Sequence, residues 1–414
     1  MTSSLILKVF IIVKIVEFLF SNLLEVFNVN SIIKNKLVPK RFQEFISAKE
    51  FQISRNYSIA KHKYSFFAHS FNFVVLISFV LLGGFGILEK LCLNITAKEE
   101  IQAIFFCFII SFGKMIIDLP FSIYHTFVLE KKFGFNKMTP SLFIKDMFKG
   151  IVLSLLLGVP LIYFLIWIIN VAGPLWWVFG FSGMMLFQVF ILWIYPTVIA
   201  PIFNKFILLE PGELRSKIEA IASKVNFPVS EIFTIDGSKR STHSNAYFTG
   251  FGKNRRIVLF DTLIESLSTM ELTAVLAHEM AHNKLNHIKK GIAISVVMTF
   301  LGFYIWSLLL RYPPLYQAFA LQGNNLFPAL IIFPMIMGPL SFLLSPLFNV
   351  LSRKHEYEAD AFSAKAMGSS TDMQSALLKL NKDNLSNLTP HPLYSFFYYS
   401  HPTLTERLDN LESS

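Results

Sequence analysis

A mainly α-helical integral membrane protein with seven spans is the fold class this sequence predicts, and three observations carry it. Of its 414 residues, 53% are apolar and only 15% are charged, a balance that excludes an ordinary soluble domain. Seven apolar stretches, at 5–29, 66–88, 101–125, 150–172, 175–200, 291–310 and 326–350, are each long enough to cross about 30 Å of hydrocarbon as a helix. Of the 37 Lys and Arg residues, 31 lie in the alternating segments 30–65, 126–149, 201–290 and 351–414, whereas the opposite loops 89–100, 173–174 and 311–325 hold three. Such one-sided bias places the four basic segments on the cytoplasmic side and the N-terminus on the other. The net charge of +10 is thus accounted for by topology, and no nucleic-acid partner is expected.

The first stretch is the least regular, because Lys8, Lys14, Glu17 and Glu25 interrupt it. A cleaved signal peptide is the alternative there, but no small-residue cleavage site follows a clean apolar run. Residues 1–200 are therefore read as spans one to five with their cytoplasmic loops. The polar stretch 201–290 mixes helical spacing from Glu213 to Val225 with short strand signals at Glu231–Ile235 and Arg256–Phe260. Spans six and seven occupy 291–350, with Gly291 as the break before span six, and 351–414 is a second, mostly helical polar segment. Cys92 and Cys107 give neither a disulfide framework nor a CxxC pair. Asn94-Ile95-Thr96 is a glycosylation sequon on the non-cytoplasmic side.

Chemistry enters with His278-Glu279-Met280-Ala281-His282, an HExxH motif. Two histidines four apart on a helix lie about 40° apart on one face, so both imidazoles reach one metal ion. Ser268-Thr269-Met270-Glu271 reads as a capping box opening that helix, and Leu272, Val275, Leu276 and Met280 supply its apolar stripe. With no thiolates nearby the donors are nitrogen and oxygen, so one zinc ion per chain is expected. Glu279 then stands next to the open zinc position, where a general base is needed.

Such a site needs a third ligand. The position ten residues after the first histidine is Ile288, which cannot serve, and His287 lies about 180° round an unbroken helix from His278. His287 is therefore read as a solvated or membrane-interface residue. The better candidate is Glu356 in His355-Glu356-Tyr357-Glu358-Ala359-Asp360. Glu356 and Asp360 share a helix face while Glu358 points to the opposite side. A ligating carboxylate with a second acid one turn on is the gluzincin arrangement, in which the second acid orients a ligand histidine. The sequence thus predicts a gluzincin-like zinc protease domain on the cytoplasmic side.

HEMAH, EYEADAF from Glu356, STHSNAYFTGF from Ser241, RIVLFDTLI from Arg256, SHPTLTERL from Ser400 and LPFSIYHTFVLEKKFGFNKMT from Leu119 together resemble the M48 metallopeptidases, specifically the type 1 CAAX prenyl proteases. The resemblance implies seven long helices enclosing a large water-filled chamber, capped by the protease domain. It implies removal of the C-terminal tripeptide from prenylated CaaX proteins. By position, His278, His282 and Glu356 would hold zinc, Glu279 would activate water, and Asp360 would act as an orienting group or proton donor. His401 and Arg407 would stabilise the oxyanion, and Asn245 and Ala246 would lie on an edge strand that pairs with substrate. The expected partners are a peptide or protein substrate, prenylated at its C-terminus, and the lipid bilayer. The membrane would be the endoplasmic reticulum in a eukaryote or the inner membrane in a bacterium.

Two other readings are weighed against this one. A membrane quality-control protease of the heat-shock M48 type resembles this chain at HExxH but has fewer spans, so the seven spans and the SHPxxxERL motif favour the CAAX type. A seven-span transporter with an idle HExxH would draw on Lys114, Asp118 and His125 near span three as an ion path, and would leave the ordered motifs to coincidence.

Overall fold

The computed structural model describes residues 2–249, 256–322 and 325–413. Gly250 and Phe251, the last two residues of the STHSNAYFTGF motif, lie outside the described residues. The chain opens with α1 (Ser3–Lys34), α2 (Ala48–Leu81), the short α3 (Gly84–Ile95), α4 (Glu99–Tyr124), α5 (Pro140–Val171) and α6 (Trp176–Ile194). A brief α7 (Ala200–Phe203) leads to the polar region, with β1 (Phe206–Leu208), α8 (Glu213–Lys224), β2 (Glu231–Ile235), β3 (Ala246–Thr249) and β4 (Arg256–Phe260). Then follow α9 (Asp261–Ser266), α10 (Thr269–Lys284), α11 (His287–Leu309), α12 (Pro313–Gln317) and α13 (Ala329–Met367). The chain closes with α14 (Thr371–Asp383), α15 (Pro392–Tyr398) and α16 (Leu404–Glu412).

Six helices among the described residues are long and apolar enough to cross a membrane: α2, α4, α5, α6, α11 and α13, with α4 and α6 lengthened by short flanking turns. This is an integral membrane protein. The helix α1 matches them in length at 32 residues but carries Lys8, Lys14, Glu17, Glu25 and Lys34 and is not among the six. Their outer faces carry exposed Leu, Ile, Val and Phe, such as Phe67, Leu156, Leu186 and Leu343, as expected where lipid replaces water. Three prolines, Pro334, Pro339 and Pro346, sit inside α13, each removing one backbone hydrogen bond. Two π-helical turns, His125–Glu130 and Tyr195–Ile199, end α4 and α6, each on the side where a span meets the polar region.

Most of these helices outrun the hydrophobic stretches read from sequence. The extensions create the second layer: α2 begins at Ala48 rather than 66, and α13 runs on to Met367 rather than 350. One apolar core gathers Phe42 and Phe51 with Ile218, Ile257, Leu259, Leu276, Met280, Leu377 and Leu408, so the segments around 201–290 and 351–414 close on each other as one unit. A separate core holds Phe85, Phe106, Ile166, Trp306, Phe319 and Phe327. Between α1, α2, α4 and α13 lies a cavity of about 740 Å³ whose lining also includes Phe85 and Leu88 of α3 and Tyr398 of α15. Its wall is mostly apolar but includes Lys14, Glu17, His69, Asn72 and Lys114. Intramembrane charges of this kind face protein or water rather than lipid; Lys14 and Glu17 pair at 2.6 Å, and Lys114 pairs with Asp118.

The four strands form one sheet in the order β1-β2-β4-β3. Strand β2 runs parallel to β4 with Phe233 opposite Val258, while β1 and β3 pair antiparallel at the two edges. The β2 and β4 bounds are those the sequence predicts; β1 is an addition, too short at three residues to leave an alternating pattern.

Candidate active site

Helix α10 begins where the sequence places it. Ser268 accepts from the Glu271 N–H at 3.3 Å while the Glu271 carboxylate accepts from the Ser268 N–H at 2.7 Å, a complete capping box. Burial opposes the Glu271 charge, but Lys379, Ser375 and Ser268 outweigh it and hold the pKa down at about 2. The cap is therefore ionised at any ordinary pH. From this start α10 is buried almost all round and packs along the polar extension of α13, which brings HExxH face to face with Glu356 and Asp360.

The result is a compact group. Ligand-capable atoms of His278, His282 and Glu356 all lie within 4.8 Å of one another. The two Nε2 atoms stand 3.3 Å apart, and each is 3.3 Å from a Glu356 oxygen. On the far side of the first ring, His278 Nδ1 lies 2.8 Å from Asp360 Oδ1. A carboxylate only accepts, so Nδ1 carries a proton, and in the neutral ring that a metal ligand must be, Nε2 turns its lone pair toward His282 and Glu356.

Does this donor set fit a metal ion? Two imidazole nitrogens and a buried carboxylate converge, and Glu356 Oε2 is buried without a well-formed hydrogen bond. Burial opposes a charge on His278, yet Asp360 and Glu356 outweigh it and raise its pKa to about 9. The pocket is thus built to hold positive charge. Two nitrogens and one oxygen with no thiolate suit zinc.

The remaining predicted residues fall around this group. Glu279 is half-buried and makes no hydrogen bond or ion pair with another described residue, so its carboxylate is available to a water. Asp360 is fully buried and receives a forked pair of hydrogen bonds from Arg407, at 2.6 and 2.9 Å. Burial disfavours the Arg407 charge, but Asp360 first, then Glu356 and Glu279, more than restore it and raise its pKa above the usual guanidinium value. Arg407 thereby anchors Asp360, and its own tip reaches 3.4 Å from His278 Nδ1. His401 is largely exposed, with Nδ1 2.9 Å from Glu356 Oε2, at the open side of the group. Ala246 opens edge strand β3, whose neighbour Asn245 accepts from the Phe260 N–H at 3.1 Å.

Two expectations need correction. The break before span six is not at Gly291 but at Leu285 and Asn286, where Asn286 takes a left-handed φ of 60°. That turn resets the helical phase, so His287 does not project 180° away from His278. It is 5% exposed, and its Nδ1 lies 3.1 Å from His282 Nδ1. The solvated reading of His287 therefore fails. The signal in the sequence was Asn286 itself, since asparagine is among the few residues that enter the left-handed region readily.

Comparison with known proteins decides what this arrangement belongs to. Residues 28–205 match the family model described as CAAX prenyl protease N-terminal, five membrane helices, and residues 209–414 match peptidase family M48. The chain belongs to peptidase family M48. It is a membrane-embedded metallopeptidase, as the resemblance implies, with the spans and the protease segment in the order those models describe. M48 relatives similar to it include a CAAX prenyl protease 1 homolog of Arabidopsis thaliana, 39% identical and covering 95% of this chain and 94% of the relative. CAAX prenyl protease 1 of Saccharomyces cerevisiae is 38% identical, covering 96% and 93%. Among solved structures, the crystal structure of S. mikatae Ste24p matches with a TM-score of 0.92 at 37% identity, covering 99% of both chains.

Proposed function

We propose that this M48 enzyme is a zinc-dependent endopeptidase that removes the C-terminal tripeptide from prenylated CaaX proteins on the cytoplasmic side of the membrane. The observation that carries the reading is the convergence of His278, His282 and Glu356 beside a cavity running into the membrane. Tyr398 touches that cavity and also a polar pocket of about 340 Å³ bounded by Tyr399, Ser400, His401, Asn381 and Asn387. An apolar hollow and a polar pocket that share Tyr398 as a wall, the second bounded by the His401 that meets Glu356, suit a substrate with a lipid at one end and a peptide bond to be cut near it. We read α1 as a seventh span, its Lys14–Glu17 pair turned to the cavity, and the cavity as part of a larger water-filled chamber. The names of the relatives in Arabidopsis and Saccharomyces agree with the CaaX substrate class.

In this mechanism His278, His282 and Glu356 would hold a zinc ion. The chemistry zinc supplies when bound is polarisation of water and of the scissile carbonyl. Strand β3 is an edge strand, and an extended substrate adds along its free edge by main-chain hydrogen bonds from the Ala246 carbonyl onward, while Asn245 fixes the strand's start by accepting from the Phe260 and Ala246 N–H groups. Glu279 accepts a proton from the attacking water and delivers it to the leaving amine. His401, exposed at the rim, donates to the developing oxyanion. Arg407, expected beside His401 at the oxyanion, commits its guanidinium to the buried Asp360 and so acts from behind, holding Asp360 against His278.

Farnesylated and unmodified CaaX peptides, incubated with the detergent-purified protein and mapped by mass spectrometry, test the proposal. The expected result is a single cut after the prenylated cysteine, with the unmodified peptide cut far more slowly. Equal cleavage of both, or scattered cuts in unrelated membrane proteins, would favour the quality-control type of M48 protease instead.

A further inference from the structure

Each ligand imidazole needs its other nitrogen held, and the two are held differently. His278 meets a carboxylate directly, at Asp360. Among the described residues His282 has no carboxylate on Nδ1; it meets His287 Nδ1 at 3.1 Å, and His287 Nε2 in turn lies 2.9 Å from Glu358 Oε2. His287 is buried, and the ring of His355 stacks on it in parallel, centroids 4.0 Å apart and planes 9° apart. The left-handed Asn286 between α10 and α11 makes this approach possible.

The proton positions follow from chemistry. Glu358 as a carboxylate only accepts, so His287 Nε2 carries a hydrogen and, in the neutral ring, His287 Nδ1 is a bare acceptor. His282 Nδ1 must then be the donor, which leaves its Nε2 lone pair free on the side of His278 and Glu356. We infer that His287 and Glu358 are positioning residues that fix the tautomer and ring plane of His282. They form a carboxylate–imidazole–imidazole chain, with His355 locking the middle ring by stacking. The inference rests on the zinc reading of the His278, His282 and Glu356 group. Removing the outer partner of a ligating histidine generally costs about 10- to 100-fold in metal affinity or activity.

The test is zinc release to a chelator from the full-length protein in detergent, with wild type, His287→Phe, His287→Asn and Glu358→Ala compared. Phenylalanine keeps the volume and the stack on His355 but removes the acceptor, whereas asparagine keeps an acceptor oxygen near Nδ1 and loses the stack. The positioning role predicts release about 10- to 100-fold faster in His287→Phe, with His287→Asn intermediate. A purely structural role predicts the reverse order, and that order overturns the inference. Glu358 is partly exposed, so Glu358→Ala retains the fold. It should also release zinc faster, and adding it to His287→Phe should cost little more. Unchanged release in Glu358→Ala overturns the chain. Wild-type protein that binds no zinc would overturn the metal reading itself, an outcome distinct from zinc-bound variants that behave like wild type.

Discussion

Glu279→Gln is expected to keep its zinc and lose turnover by about three orders of magnitude, within the range that removal of a positioned general base costs. The expectation follows from where Glu279 sits. It is one residue beyond ligand His278 on a helix buried nearly all round, half-buried itself, and makes no hydrogen bond or ion pair with another described residue that the substitution would break. Glutamine fills the same volume and cannot take the proton. Zinc content per chain and kcat on a farnesylated peptide are the two readouts. A variant that turns over at the wild-type rate removes Glu279 from the chemistry, whereas one that loses zinc as well makes it a structural residue.

Arg407→Ala should be the most damaging single change outside the ligands themselves. Asp360 has no exposure, and Arg407 meets it with two hydrogen bonds at 2.6 and 2.9 Å. Truncating the guanidinium leaves a buried carboxylate whose other close partner among the described residues is His278, and breaking one half of such a pair costs about 3–5 kcal/mol. The variant should show a lower melting temperature in detergent and reduced zinc occupancy, because Asp360 no longer holds the His278 ring in place. Adding Asp360→Asn should recover part of the stability, since it removes the stranded charge. A melting temperature that falls further in the double variant would show that the pair is not the source of the loss.

Much of this architecture was legible because it rests on local rules. The capping box at Ser268 and Glu271 fixed the start of α10, and the four-residue spacing of His278 and His282 fixed their shared face. The pairing of Glu356 with Asp360 singled out one turn of α13. In the structure those two faces meet, a fact of tertiary packing that no local pattern contains. The membrane helices were found but their lengths were not. Hydrophobicity marks only the stretch in contact with lipid, whereas α2 and α13 continue as polar helices into the second layer. In α1, Lys14 and Glu17 weakened the apolar signal because they turn to the cavity and pair with each other. His287 was missed for a single reason: helical projection assumes an unbroken helix, and the φ of 60° at Asn286 breaks it.

The central claim is that His278, His282 and Glu356 hold one zinc ion. X-ray absorption at the zinc edge of the purified wild-type protein, beside His278→Ala and Glu356→Ala, tests it most directly. One zinc per chain is predicted, in a shell of nitrogen and oxygen with two imidazole contributions and no sulfur, and each substitution should empty or alter that shell. A sulfur-containing shell, or a spectrum and stoichiometry unchanged in Glu356→Ala, would contradict the account.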